Sequence, residues 1–190
     1  LGVEVGPDMA WASVALAGIR ADGGRHIELE EDQHTKGRGV SWLAPHVEAL
    51  VEANPQIRAV VVDVGGPIAP LLIERNGRYW LRSADGSRGV EVTPLKVKEL
   101  GAGCASLLNG IVVGEVWHID QPQLSAAALA ATKRNLADTG MWVWHRRAAE
   151  SDITPIQSCT YALIGADMTR PKRPLRRAAS SSSSGGVTVL

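Results

Sequence analysis

Ala59-Val60-Val61-Val62-Asp63-Val64-Gly65-Gly66-Pro67 is the stretch on which the reading of this chain turns. Four consecutive apolar residues, three of them β-branched, read as a strand covered on both faces. A strand with one wet face would alternate instead. The run ends in a carboxylate, and Gly65-Gly66-Pro67 then forces a turn. A central strand with an acid at its C-terminal end points to an α/β fold with a site at that end of its sheet.

Upstream, Gly2 to Val5 reads as a short buried strand and Gly6-Pro7-Asp8 as a turn. Trp11 to Ile19 reads as a second strand. Ala21-Asp22-Gly23-Gly24 is a hairpin loop, and His26 to Glu31 alternates apolar and charged residues as a third strand. These three form an antiparallel meander. Leu43, Val47, Leu50 and Val51 then fall at helical spacing after Ser41, and Asn54-Pro55 stops that helix.

Downstream, Asn76-Gly77 and Asp85-Gly86 bracket Tyr79-Trp80-Leu81. This predicts a helical turn, a hairpin-like excursion and a strand at Val90 to Val92. Helices are expected over Leu95 to Val113, Gln121 to Leu136 and Asp152 to Ala166, with extended segments at Val116 to Ile119 and Met141 to His145. Asp152 lies near the last helix's N-cap, and Pro155 in its first turn. Three antiparallel strands, a helix and a buried strand are the pattern of an RNase H-like core: a mixed central sheet flanked by helices.

The 190 residues carry 20 basic and 20 acidic side chains. Residues 170–190 hold five of the bases (Arg170, Lys172, Arg173, Arg176, Arg177) and no acid, which leaves 15 bases against 20 acids, a net of −5, over 1–169. A broad basic surface that holds DNA by charge alone is therefore excluded. The expected organisation is one folded domain over 1–169 and a basic, Ser- and Gly-rich disordered tail over 170–190. The strand-like start at Leu1 suggests a piece of a longer protein. No apolar run approaches the roughly 20 residues of a membrane-spanning helix. Cys104 and Cys159 read as buried free thiols, since neither belongs to a metal-type pair. ATP hydrolysis is not expected, because no phosphate-binding Gly-x-x-x-x-Gly-Lys-Ser/Thr loop occurs.

Phosphodiester hydrolysis by two divalent ions needs acids fixed at the ends of core elements. Hard ions such as Mg²⁺ and Mn²⁺ take carboxylate oxygens. Glu4, Asp63 and Asp152 are the candidates for catalysis and metal binding, with Asp8 as a further ligand. The plain alternatives are a solvent-facing edge position for Glu4, a turn for Asp63 and Asp8, and an N-cap for Asp152. Glu150, His118 and His145 are weaker candidates. Arg75, Arg78, Lys133, Arg134, Arg146 and Arg147 are candidate DNA contacts. Arg82 and Arg88 belong with the first two on the hairpin-like excursion. Trp142 and Trp144 alternate, so one of them is expected to pack inward.

The ordered set of motifs resembles the C-terminal nuclease domain of tailed-bacteriophage large terminase subunits, in particular those of actinobacterial phages. The matching pieces are Gly2-Val3-Glu4-Val5-Gly6-Pro7-Asp8 with Trp11-Ala12-Ser13, Val60-Val61-Val62-Asp63 with Gly66-Pro67, and His118 to Leu124 before an Ala-rich helix. Trp142-Val143-Trp144-His145-Arg146-Arg147 and Ser151-Asp152-Ile153-Thr154-Pro155 complete it. The resemblance implies an RNase H-like nuclease that binds two Mg²⁺ or Mn²⁺ ions and cuts concatemeric double-stranded DNA during genome packaging. It places Glu4, Asp63 and Asp152 at the acidic triad, with Glu4 where Asp is usual. It also implies an N-terminal packaging ATPase, not contained in these residues, a small terminase and a portal as partners, and action in the cytoplasm of an infected bacterium. A junction resolvase or transposase relative is a rival reading. So is a non-catalytic module that docks on DNA or a motor.

Overall fold

The computed structural model describes residues 1–30, 39–146 and 152–170. The basic tail beyond Arg170, Glu150 and Arg147 lie outside the described residues. The chain begins with strands β1 (Gly2–Val5), β2 (Ala12–Ile19) and β3 (Arg25–Leu29), then helix α1 (Leu43–Ala53) and strand β4 (Val61–Val62). Strands β5 (Leu72–Arg75), β6 (Arg78–Arg82) and β7 (Arg88–Pro94) follow, then α2 (Val97–Val112), β8 (Val116–His118) and α3 (Pro122–Ala130). The last elements are β9 (Lys133–Asn135), β10 (Trp142–Trp144) and α4 (Thr154–Met168).

Among the described residues eight strands form one mixed sheet in the order β5-β6-β7-β4-β1-β2-β3-β8, and β9 and β10 form a separate ribbon. The meander is antiparallel, while β4 joins β1 in parallel. Helix α1 covers one face of the sheet; α2, α3 and α4 cover the other. Alternation decides which side chains go where. Val3, Val5, Val14, Val60 and Val62 pack with Leu43 and Val47 of α1. Ala15, Ile27 and Leu29 pack with residues of α2, α3 and α4. Each fully buried valine contributes on the order of 1.5–3 kcal/mol. A one-residue slip of β1 would move Val3 and Val5 off the α1 core and turn Glu4 into it, so the register is strongly specified.

Helix α4 is buried from Thr154 to Gly165 on all sides. It lies so close to β1 that a Cβ on Gly2 would collide with the backbone of Ser158 and Ala162. Its polar side chains find partners: Thr160 accepts from the Trp144 indole N–H at 2.9 Å and donates to the Ile156 carbonyl at 2.7 Å.

One expectation changes. The Ala-rich helix ends at Ala130 rather than Leu136, because Ala131 turns extended (ψ 128) and Lys133–Asn135 pairs with Trp142–Trp144. Packing of the tryptophan strand overrides local helix propensity there. The stretch after Pro67 follows the expected order of helical turn, hairpin and strand, and it joins the main sheet. A single 3-10 turn at Ala69–Leu71 precedes β5, and β7 extends from Arg88 to Pro94 and pairs in parallel with β4. β5, β6 and β7 are thus three of the eight strands of the main sheet.

Candidate functional site

The parallel pairing of Gly2 with Val61 sets β1 beside β4. Two residues further along each strand stand Glu4 and Asp63, with the same parity. Both therefore face α4, as Gly2 and Val61 do. Glu4 is no edge residue: β1 lies between β4 and β2, and the Glu4 side chain is 1% exposed. Asp63, at the strand's end, is 19% exposed. Two carboxylates side by side need a cation.

That cation is Arg146. Its Nε donates to Glu4 Oε1 at 2.6 Å, and its Nη2 donates to Asp63 Oδ2 at 2.8 Å. The same Nη2 donates to the Tyr161 hydroxyl at 2.7 Å. The Gln157 amide completes the group, donating to Glu4 Oε1 and accepting from Arg146 Nε, both at 3.2 Å. Burial pushes the Glu4 carboxyl up in pKa, and the charge and hydrogen bonds of Arg146 pull against it. Burial also opposes the Arg146 charge, yet Tyr161, Glu4 and Asp63 hold the guanidinium above its ordinary value. Tyr161 is raised well above the usual phenol range, by burial first and then by Glu4, and stays a neutral hydrogen-bonding group. Gly66 permits the close approach: a Cβ there would sit 3.2 Å from both Arg146 Nη2 and Asp63 Oδ2.

Asp152 stands just before α4. Its Oδ1 accepts the Thr154 backbone N–H at 2.9 Å and its Oδ2 accepts the Thr154 hydroxyl at 3.0 Å. These bonds make an Asx-type turn just ahead of α4, whose N-cap position is Ile153. The Thr154 hydroxyl also meets Ser13 Oγ at 2.7 Å, and Ser13 is the residue paired with Glu4 across β1 and β2. Asp152 is thus tied to the strand next to Glu4 through two hydroxyls. Asp8 is exposed and accepts the Ala10 N–H at 3.0 Å, an Asx turn on the loop after β1. His118 lies on β8 at the sheet edge, its Nδ1 against the Ile119 carbonyl.

The candidate DNA contacts divide. Arg134 and His145 line a cleft of ≈ 590 Å³ together with Pro7, Gly65, Gly66 and Arg146. Lys133 lies 4.4 Å from the Trp142 ring centroid. Arg75 and Arg78 sit at the exposed β5–β6 turn, where Arg78 forks onto Glu91. Arg82 and Arg88 pair across β6 and β7, with Arg88 4.9 Å from the Trp80 ring. Arg146, grouped in the sequence with phosphate contacts, is instead engaged with the acids. Trp144 is the inward-packed member of its pair. Sequence reasoning missed Tyr161, Gln157, Thr154 and Ser13. The available signal was polar residues on a helix otherwise read as core, Gln157 and Tyr161 being one turn apart.

By donor type the site suits a hard divalent ion. Glu4 and Asp63 already converge on one positive charge, and Mg²⁺ is commonly held by one or two carboxylates with water and phosphate completing its shell. Among the described residues no group of three or more His, Cys, Asp or Glu side chains is gathered in metal-binding distance. The protein-derived set near the sheet is therefore the Glu4–Asp63 pair, with Asp152 engaged on α4. No helix among the described residues is long and apolar enough to cross a membrane.

This fold has a counterpart of known structure. The fold is shared with a bacteriophage large terminase. The crystal structure of the HK97 bacteriophage large terminase superposes with a TM-score of 0.60 over 87% of this chain, at 13% identity. This chain spans 39% of the length of that terminase. At that identity the likeness is one of fold. No protein-family model and no curated protein sequence matches the chain.

Proposed function

We propose that this domain is a metal-dependent endonuclease of the large-terminase type, with an RNase H-like fold, cutting concatemeric double-stranded DNA during phage genome packaging. The observation that carries the reading is the pair Glu4 and Asp63, brought side by side at the C-terminal ends of two parallel central strands in a fold shared with a phage large terminase. Glu4 and Asp63 would hold a divalent ion, Mg²⁺ or Mn²⁺, and Asp152 would join them for a second. Ions bound there supply the polarisation that activates water and stabilises the leaving oxygen in phosphodiester hydrolysis. The chain's own residues do the rest. Ser13 and Thr154 hold Asp152 toward the sheet, Tyr161 and Gln157 fix the Glu4 carboxylate, and Arg134 gives the adjacent cleft a positive charge for phosphates, with His145 beside it on the same wall.

The actinobacterial phage attribution, the packaging ATPase, small terminase and portal as partners, and action in the host cytoplasm belong to this same proposal. They rest on the motif order in the sequence. One observation favours a second reading, a non-catalytic docking module: Arg146 already pairs with both acids.

Incubation with supercoiled plasmid decides between them. Nicking and linearisation with Mn²⁺ or Mg²⁺, lost in EDTA and in Asp63→Ala, is the expected result. A folded protein that cuts with neither metal would sink autonomous catalysis and leave the docking module.

A further inference from the structure

We infer that Arg146 is a built-in competitor for the metal, a guanidinium latch that must leave Glu4 and Asp63 before an ion can bind there. The inference rests on the metal-binding reading of those two acids. Its basis is geometric. Arg146 Nε and Nη2 take Glu4 Oε1 and Asp63 Oδ2, at 2.6 and 2.8 Å. An ion held by Glu4 and Asp63 would need the carboxylate oxygens that the guanidinium takes, so the two cations would compete.

The latch has a structural purpose. Glu4 is buried, and Asp63 stands beside it with one fifth of its side chain exposed. Left without a cation, such a pair costs several kcal/mol. Arg146 supplies the positive charge, so the domain folds without metal. The same contact lowers apparent metal affinity, because only molecules with the latch open are competent to bind.

Arg146 is also placed to move. It stands two residues beyond the end of β10, outside any helix or strand among the described residues. Its side chain forms part of the wall between two spaces. One, of ≈ 270 Å³, contains Asp63, Gln157 and Tyr161. The other is the ≈ 590 Å³ cleft with Arg134, His145 and the Gly65-Gly66 turn. A displaced guanidinium can enter the second space without unfolding anything, and there it faces the side from which a phosphate would come.

The test is calorimetric titration of Mn²⁺ alone into the whole chain, comparing wild type with Arg146→Met, Arg146→Lys and Asp63→Asn. A latch closed in about nine molecules of ten predicts Mn²⁺ binding about tenfold tighter in Arg146→Met. Arg146→Lys, which keeps the charge but not the fork, should fall between, and it carries the test if the Met variant does not fold. Asp63→Asn should lose the site. Equal affinity in wild type and the Arg146 variants, with loss in Asp63→Asn, overturns the latch and leaves the metal site standing. No Asp63-dependent binding in any of them overturns both.

Discussion

At the scale of single residues, the two strand acids are not equivalent. Glu4 is 1% exposed and holds Arg146 through its Nε; Asp63 is 19% exposed and takes one Nη2 bond. Removing Glu4 leaves the Arg146 charge buried with Asp63 as its one carboxylate and the neutral oxygens of Tyr161 and Gln157. Removing Asp63 leaves the Glu4–Arg146 pair intact. Urea unfolding without metal should therefore show Glu4→Ala losing about 3 kcal/mol or more, while Asp63→Ala loses about 1 kcal/mol or less. Equal losses would mean that the triad is not organised around Glu4.

At the scale of elements, α4 unites fold and site. It is buried along most of its length, it closes onto β1 at Gly2, and it brings Gln157 and Tyr161 to the acids. Its N-terminus depends on Asp152, whose oxygens bond the Thr154 N–H and hydroxyl. The turn and metal binding ask different things of that side chain. Asp152→Asn keeps an oxygen for the N–H but loses the charge. It should unfold within about 0.5 kcal/mol of wild type, whereas Asp152→Ala should lose about 1 kcal/mol. If Asp152 is a ligand, plasmid cleavage falls at least tenfold in both. A fully active Asn variant would confine Asp152 to the turn.

At the scale of the whole molecule, the core is tight enough to silence its thiols. Cys104 on α2 is pushed up to about 11 by burial, and Cys159 on α4 is raised further by the same cause. Native protein at pH 8 should leave iodoacetamide unreacted, and urea-unfolded protein should take up two equivalents, read by mass spectrometry. Reaction of the native protein would show that α2 and α4 part readily. The raised thiol pKa also gives stability a sign. The folded state keeps the Cys104 proton where the unfolded state, at its ordinary 9.0, loses it. That contribution is complete below pH 9 and is lost as pH rises from 9 to about 11. Much of this architecture was legible in the sequence. Val60 to Val62 announced a strand covered on both faces; three short strand-like runs split by turn residues, the third of them alternating, announced the meander; apolar spacing announced α1. Glu4 and Asp63 stood out because a carboxylate inside or at the end of such strands needs a reason. Those features are local, since a strand's face and a helix's period are written in neighbouring residues. Three things were decided only by tertiary structure. The Ala-rich helix gave way to β9 because the tryptophan strand offered a partner. The residues after Pro67 joined the main sheet because β7 found β4. Arg146 turned from a surface base into the cation between two acids because β10 delivers it, across more than eighty residues of sequence from Asp63, to the one place where β1 and β4 leave two negative charges together. Spacing along a chain carries no record of which charges the fold will bury side by side.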